Sequence, residues 1–303
     1  MMLPAAMAIG FVFLWNSGFI GAELGLPNSG PFTLLFWRYA ALTGLLAIAV
    51  LVLRRGQRLE RTALLRIAGI GVLSHGVWLG CVLVSLDRGV PAGIVALVVA
   101  LQPLATGALS GLITGEATGL RQWFGLSLGF VGVAIAVGAR MGHAGSATVL
   151  GHLIPFGSVA AITIASLVQR RVDLDERQPR VPLDIQLLIQ AAATTLAVAA
   201  PAIFWEALQT RWSSSYVVTM MWLVVAVSLG AYALMWLLLS RTDATRVSSL
   251  FYLGPPVTML MAWFTFGDTL FVSDLVGLGV VACGVAIVML RWPGKRLFGV
   301  LSG

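Results

Sequence analysis

The side chains able to do chemistry in this 303-residue chain are rings, amides and hydroxyls set inside long apolar runs. His75 and Trp78 stand three residues apart, and Tyr232 and Trp236 four apart, spacings that put each pair on one face of a helix. When Ser74 and Gly76 are laid on Ser228 and Gly230, an offset of 154, Trp78 comes opposite Tyr232. Trp15, Asn16 and Ser17 interrupt the first apolar run. Gln102 precedes Pro103, and Ser248, Ser249 and Tyr252 precede Pro255. Rings of this kind stack on apolar ligands or hold an ammonium by cation–π attraction, while amides and hydroxyls can bond its carboxylate. Polar groups buried in a bilayer are costly unless they are partnered or face water, so they mark a pathway. Plainer readings stand beside this one. His75, Asn16 and Gln102 also suit interhelical hydrogen bonds, Trp78 and Trp236 suit lipid contact, and the two prolines suit simple packing kinks.

Other chemistries lack their residues. No Asp or Glu lies mid-run; Glu23, Asp87, Glu116, Glu206, Asp268 and Asp274 all fall at ends or turns. Cys81 and Cys283 sit inside apolar runs and read as small hydrophobes rather than as a disulfide or metal ligands. Gly125 to Gly129 spells the nucleophile-elbow pattern, but within a continuous apolar run instead of a strand, turn and helix. No catalytic set, cofactor or metal is therefore expected. Arg38 is the one Arg or Lys inside a run. It lies about 10 Å along its helix, so a structural role is expected, either snorkelling to the interface or bonding a backbone carbonyl.

The elements holding these residues are set by composition. The chain is 59% hydrophobic and 10% charged, with mean hydropathy +0.95, far below the charge a soluble domain carries. A hydrocarbon core about 30 Å thick needs roughly 20 apolar residues in helix. Ten segments meet or approach that: Pro4–Ala22, Pro31–Leu53, Ile67–Val84, Ala92–Thr114, Gln122–Ala139, Val149–Val168, Leu183–Phe204, Tyr216–Leu239, Val247–Phe266 and Leu270–Leu290. The first lacks a basic leader and a cleavage pattern, so it reads as a retained helix. The formal charge of +7 does not imply nucleic acid, because the basic residues lie in short loops. With the N-terminus inside, 15 of the 19 face the cytoplasm, three (Arg88, Arg140, Arg211) face out, and Arg38 is the nineteenth. Both termini are thus expected to be cytoplasmic. Trp205, Trp212, Trp222 and Trp292 read as interfacial belt residues.

A repeat organises the segments. Leu101–Val137 meets Leu253–Met289 without a gap at an offset of 152, matching Pro103 to Pro255, Gly115 to Gly267 and Glu116 to Asp268. Segments four and five thereby match nine and ten. The unit is five helices, 1–142 and 143–303, and an odd unit inserts its second copy upside down. Inverted repeats, with paired interruptions such as Pro103 and Pro255, mark alternating-access carriers and their midplane sites.

The turn and helix from Gly115-Glu116 to Val137, its twin from Gly267-Asp268 to Met289, and the stretch Pro31 to Ala40 resemble the drug/metabolite transporter superfamily. The likeness is to its ten-helix EamA-like branch, and within it to YddG-type amino-acid exporters. The resemblance implies a central cavity between the halves, with segments five and ten peripheral. The small multidrug members resemble half of this chain and carry a membrane glutamate in their first helix. Here Ala5 to Leu14 has none, so proton-coupled drug export is not expected. The fold expected is an all-α membrane protein with ten helices in two inverted repeats around a cavity. The function expected is export of small metabolites, with aromatic or apolar amino acids leading. The candidate substrate contacts are Trp15, Asn16, Ser17, His75, Trp78, Gln102, Tyr232, Trp236, Ser249 and Tyr252, with Pro103 and Pro255 as cavity-lining kinks. A small-molecule substrate and the lipid bilayer are the expected partners, nucleic acid is not, and a monomer is possible. The alternatives are a lipid or nucleotide-sugar translocase, or a membrane-embedded enzyme of lipid metabolism; the latter would need clustered acidic, His or Cys residues.

Overall fold

The computed structural model describes residues 2–57, 59–88, 90, 95, 98–138, 149–175, 181–267 and 272–289. They form ten helical segments: α1 (Met2–Gly25), α2 (Pro31–Val52), α3 (Arg61–Asp87), α4 (Gln102–Ile113), α5 (Leu120–Gly138), α6 (Val149–Leu174), α7 (Leu183–Phe204), α8 (Ser214–Arg241), α9 (Ala244–Phe266) and α10 (Val272–Met289). Among the described residues, seven helices are long and apolar enough to cross a membrane, and α5 and α10 contain shorter apolar stretches. Large apolar side chains such as Leu51, Leu112, Leu196, Phe204 and Phe264 are exposed on the outside of the bundle. Such a surface suits lipid. The division between residues 142 and 143 lies outside the described residues, as does Asp268.

Packing repeats with the helices. α2 packs on α7, and α5 on α10. α3 packs on α6, as α8 does on α1; α4 packs on α6, as α9 does on α1; α3 packs on α7, as α8 does on α2. Exchanging each helix for the one five places along leaves this pattern unchanged, as expected of two five-helix repeats. The axis is visible in side chains. The hydroxyl of Thr43 lies 3.4 Å from that of Thr195, 152 positions on, and each also donates to the carbonyl four residues back, Tyr39 and Ala191.

Local backbone follows the same rule. Gly115 and Gly267 both adopt left-handed φ, +75° and +74°, at the turns after α4 and α9, a conformation that favours glycine. At the α5–α10 contact, a Cβ on Gly125 would lie 2.7 Å from the Gly284 carbonyl oxygen, and one on Gly132 would lie 2.9 Å from that of Gly277. Small residues let these backbones meet. α3 and α8 each contain a π-helical stretch, Val72–Val77 and Leu223–Ala231, and the α-helix resumes at Trp78 and Tyr232. The prolines restart helices instead of kinking them. Pro103 stands in the first turn of α4, and Pro255 in the first turn of Gly254–Phe266, after a 3₁₀ turn at Leu250–Leu253. In a first turn the missing N–H breaks no helical bond.

Candidate functional site

Where α1, α3 and α8 meet, their rings close on one another. The Trp15 ring centroid lies 5.0 Å from that of Trp78, 4.8 Å from Tyr232 and 5.0 Å from Phe251, all tilted or edge-on, the geometry aromatic pairs prefer. His75 stands 4.0 Å edge-on from Tyr232 and 5.2 Å from Tyr39. The π-helical stretch of α3 contributes directly, because the Ser74 carbonyl accepts a 2.8 Å bond from the Tyr232 hydroxyl. π-bulges often occur at functional sites.

Trp15, Arg38, Trp78 and Tyr232 line one cavity, which continues past Phe19 and Leu86 toward the membrane face where α1 ends. It holds about 30 Å³, room for about two waters. A metabolite enters only when these helices separate. Both this cavity and a larger cleft of about 310 Å³, bounded by Phe32, Val72, Cys81, Ile154 and Val198, are mostly apolar, but the cleft has no counterpart to Arg38 or the Tyr232 hydroxyl. It offers no convergent polar groups of the kind that orient a ligand, so the smaller cavity is the better candidate.

Arg38 departs from expectation. It neither snorkels nor bonds a backbone carbonyl: it is buried at 3% exposure, and its Nε donates to the Ser228 hydroxyl at 2.6 Å. Its guanidinium carbon lies 5.5 Å from the Tyr39 ring centroid. Among the described residues no carboxylate forms an ion pair with it. The signal for it was present, since it is the only Arg or Lys inside an apolar run and such a group is rare without a role. Tyr39, beside it and fully buried with no hydrogen-bond partner for its hydroxyl, carried no signal beyond its type.

The remaining candidates separate into two groups. Trp15, His75, Trp78 and Tyr232 come together. His75 Nε2 also contacts Gln190 Oε1 at 3.1 Å, while its Nδ1 and the Gln190 Nε2 are buried without partners. The others are spread among helix contacts. Asn16 donates to the Val12 carbonyl and accepts from Thr258, tying α1 to α9. Ser17 donates to the Leu14 carbonyl and accepts from Trp222 Nε1 at 2.9 Å, so Trp222 is a helix tie as well as a half-exposed ring. Gln102 donates to Thr106, and Ser249 to the Arg246 carbonyl. Tyr252 lies against α5, where a Cβ on Gly129 would come within 2.6 Å of its ring. The Trp236 ring is buried, with no hydrogen-bond partner for its Nε1. Trp292 lies outside the described residues.

Both ends of the bundle are tied. On the face from which α1 starts, Arg170 grips Glu116 with two bonds of 2.7 and 3.0 Å and donates to the Leu239 carbonyl. Thr118 meets Thr245, and Asp243 caps the start of α9 and pairs with Arg246. On the opposite face, Glu206 accepts from the N–H groups of Phe32 and Thr33 at 3.0 and 2.7 Å, at the positive end of α2. Ser29 bonds the Tyr216 hydroxyl there.

This architecture has known counterparts. Residues 2–138 match the model of the EamA-like transporter family. Over 94% of the chain and 89% of the relative, 29% of residues are identical to "Uncharacterized inner membrane transporter YedA" of Escherichia coli K12. "Uncharacterized transporter YvbV" of Bacillus subtilis is 23% identical over 94% of the chain and 91% of its own length. "Probable amino-acid metabolite efflux pump" of Salmonella typhimurium is 22% identical over 96% of both. A solved crystal structure superposes with a TM-score of 0.77 at 19% identity, covering 95% of this chain and 97% of its own, a likeness of fold. Over its first half the chain is thus similar to EamA-like transporters, and over nearly its whole length to proteins named as transporters.

Proposed function

We propose that this transporter exports small zwitterionic metabolites across the inner membrane, aromatic or apolar amino acids first among them. The observation that carries this reading is the cavity of Trp15, Trp78 and Tyr232 with Arg38 beside it. Its rings accept an apolar side chain, their faces attract an ammonium, and one guanidinium complements one carboxylate. The printed name of the Salmonella relative, an amino-acid metabolite efflux pump, and the inner-membrane name of the Escherichia coli one support it. The halves 1–142 and 143–303 act as the moving units of alternating access. The ties at Glu116–Arg170 and at Glu206 with the start of α2 open in turn. Transport runs down the substrate's own gradient, or is coupled through a group other than a carboxylate, since none lies mid-run. Both termini face the cytoplasm, as the distribution of basic residues favours.

Efflux from proteoliposomes loaded with radiolabelled phenylalanine, leucine or glucose tests the substrate class. Efflux of the amino acids above that of empty vesicles, with glucose retained, is expected; the reverse order discards the reading. Thiols introduced at the exposed positions Gln57 and Gln209 test orientation. In intact cells an impermeant reagent should modify the second and spare the first.

A further inference from the structure

We propose that Arg38 is the anchor for a substrate carboxylate, so that the cavity selects ligands bearing that group over their amides and over simple amines. The inference rests on reading the cavity as the transport site and names the group it recognises.

Three observations point the same way. Arg38 lines the cavity and is buried, yet among the described residues no carboxylate pairs with it. A cation held in so apolar a place is unfavourable until an anion joins it. Its Nε is already committed to Ser228, and among the described residues neither Nη group has a hydrogen-bond or ion-pair partner. That bond fixes the plane of the guanidinium and leaves the Nη pair, the forked donors that carboxylates meet two at a time.

The third observation comes from the repeat. α2 and α7 are both 22 residues long, and Pro31 and Leu183, their first residues, stand 152 positions apart. Arg38 therefore corresponds to Gln190, and Ser228, by the α3–α8 register, to Ser74. At the corresponding crossing of α7 with α3 the bond is made by the uncharged Gln190 and His75. The same frame is held together there without a charge. Packing alone does not require a cation at position 38, so the charge has another task.

A single guanidinium neutralises a carboxylate fully, whereas a phosphate dianion would bring an unbalanced charge among apolar rings. Trp15, Trp78 and Tyr232 then meet the ligand's apolar body. The anchor thus sets class, and the rings set side-chain preference.

The test is competition for transport in proteoliposomes holding the full chain, together with the thermal shift of the purified protein. The probes are phenylalanine, phenylpyruvate, phenylalaninamide, phenethylamine and phenyl phosphate. The parent should bind the two carboxylates at least about tenfold more tightly than the amide, the amine and the phosphate, the span of one or two charge-assisted bonds. In Arg38→Gln the carboxylates should weaken about tenfold to hundredfold, while the amide and amine change less than about threefold. Arg38→Lys should recover part of the preference, because it keeps charge but loses the fork. A purely structural Arg38 would weaken all probes together. Equal binding of carboxylate and amide by the parent overturns the proposal without any variant. So does binding of no carboxylate at all, or of phenyl phosphate as well as phenylalanine. If phenylpyruvate binds through Arg38 and phenylalanine does not, the anchor stands and the amino-acid reading falls. If phenylalanine is exported and Arg38→Gln leaves the carboxylate preference intact, the anchor falls and the export stands.

Discussion

Two crossings of the bundle occupy corresponding places and hold different chemistry. Where α2 crosses α8, Arg38 reaches Ser228; where α7 crosses α3, Gln190 reaches His75, next to Ser74. Both lie beside a π-helical stretch and near a ring at which the α-helix resumes, Tyr232 in one half and Trp78 in the other. Duplication therefore explains where the polar crossings are, and divergence explains what each does. One carries a buried charge toward the cavity. The other ends in neutral groups around an imidazole.

The comparison can be broken or sharpened by substitution. The largest effect is expected from moving the charge. Arg38→Gln combined with Gln190→Arg keeps the composition and exchanges the crossings, and carboxylate transport in proteoliposomes should stay down by about tenfold to hundredfold. Recovery to the parent rate would mean that the two crossings are interchangeable. Next comes the contact of α5 with α10. A Cβ at Gly284 would lie 2.6 Å from the Gly125 carbonyl oxygen and the Gly129 nitrogen, so Gly284→Val should cost about 1–3 kcal/mol, read as a lowered Tm. An unchanged Tm would show that this packing is loose. Trp78→Ala should remove about 1 kcal/mol of stacking and slow efflux several-fold, whereas Trp205→Ala, on a ring 76% exposed, should not. Equal loss in both would remove the aromatic cavity from the transport path. The smallest effect is expected at the axis. Thr43→Val removes a bond to its own helix carbonyl and a 3.4 Å contact with Thr195, and should cost about 0.5–1 kcal/mol with transport rate unchanged; a large fall in rate would give this pair a working role.

The helices and their duplication were legible because a bilayer imposes length and apolarity, and because glycine and proline mark the matched turns. Trp15, Trp78 and Tyr232 were legible from depth in the run and, for the latter two, from register. Arg38 was placed at the right depth and given the wrong direction. Distance along a helix fixes how far a side chain can climb, but only the packing of α2 against α8 fixes which way the helix is turned. Tyr252 shows the same gap. It stands one turn before Pro255, yet glycine at position 129 opens a groove in α5 that receives its ring. The π-helical stretches left no periodic trace, since apolar runs of either winding look alike.

The contact between Thr43 and Thr195 has a kinematic consequence. When two inverted halves trade conformations, the second state is the first with the labels of the halves exchanged. A distance between a residue and its own counterpart is then the same in both states, whereas Glu116 to Arg170 takes the value its counterparts had before. Spin labels at positions 43 and 195 should therefore read one distance throughout the cycle. Labels on the α4–α5 turn and the end of α6 should read two.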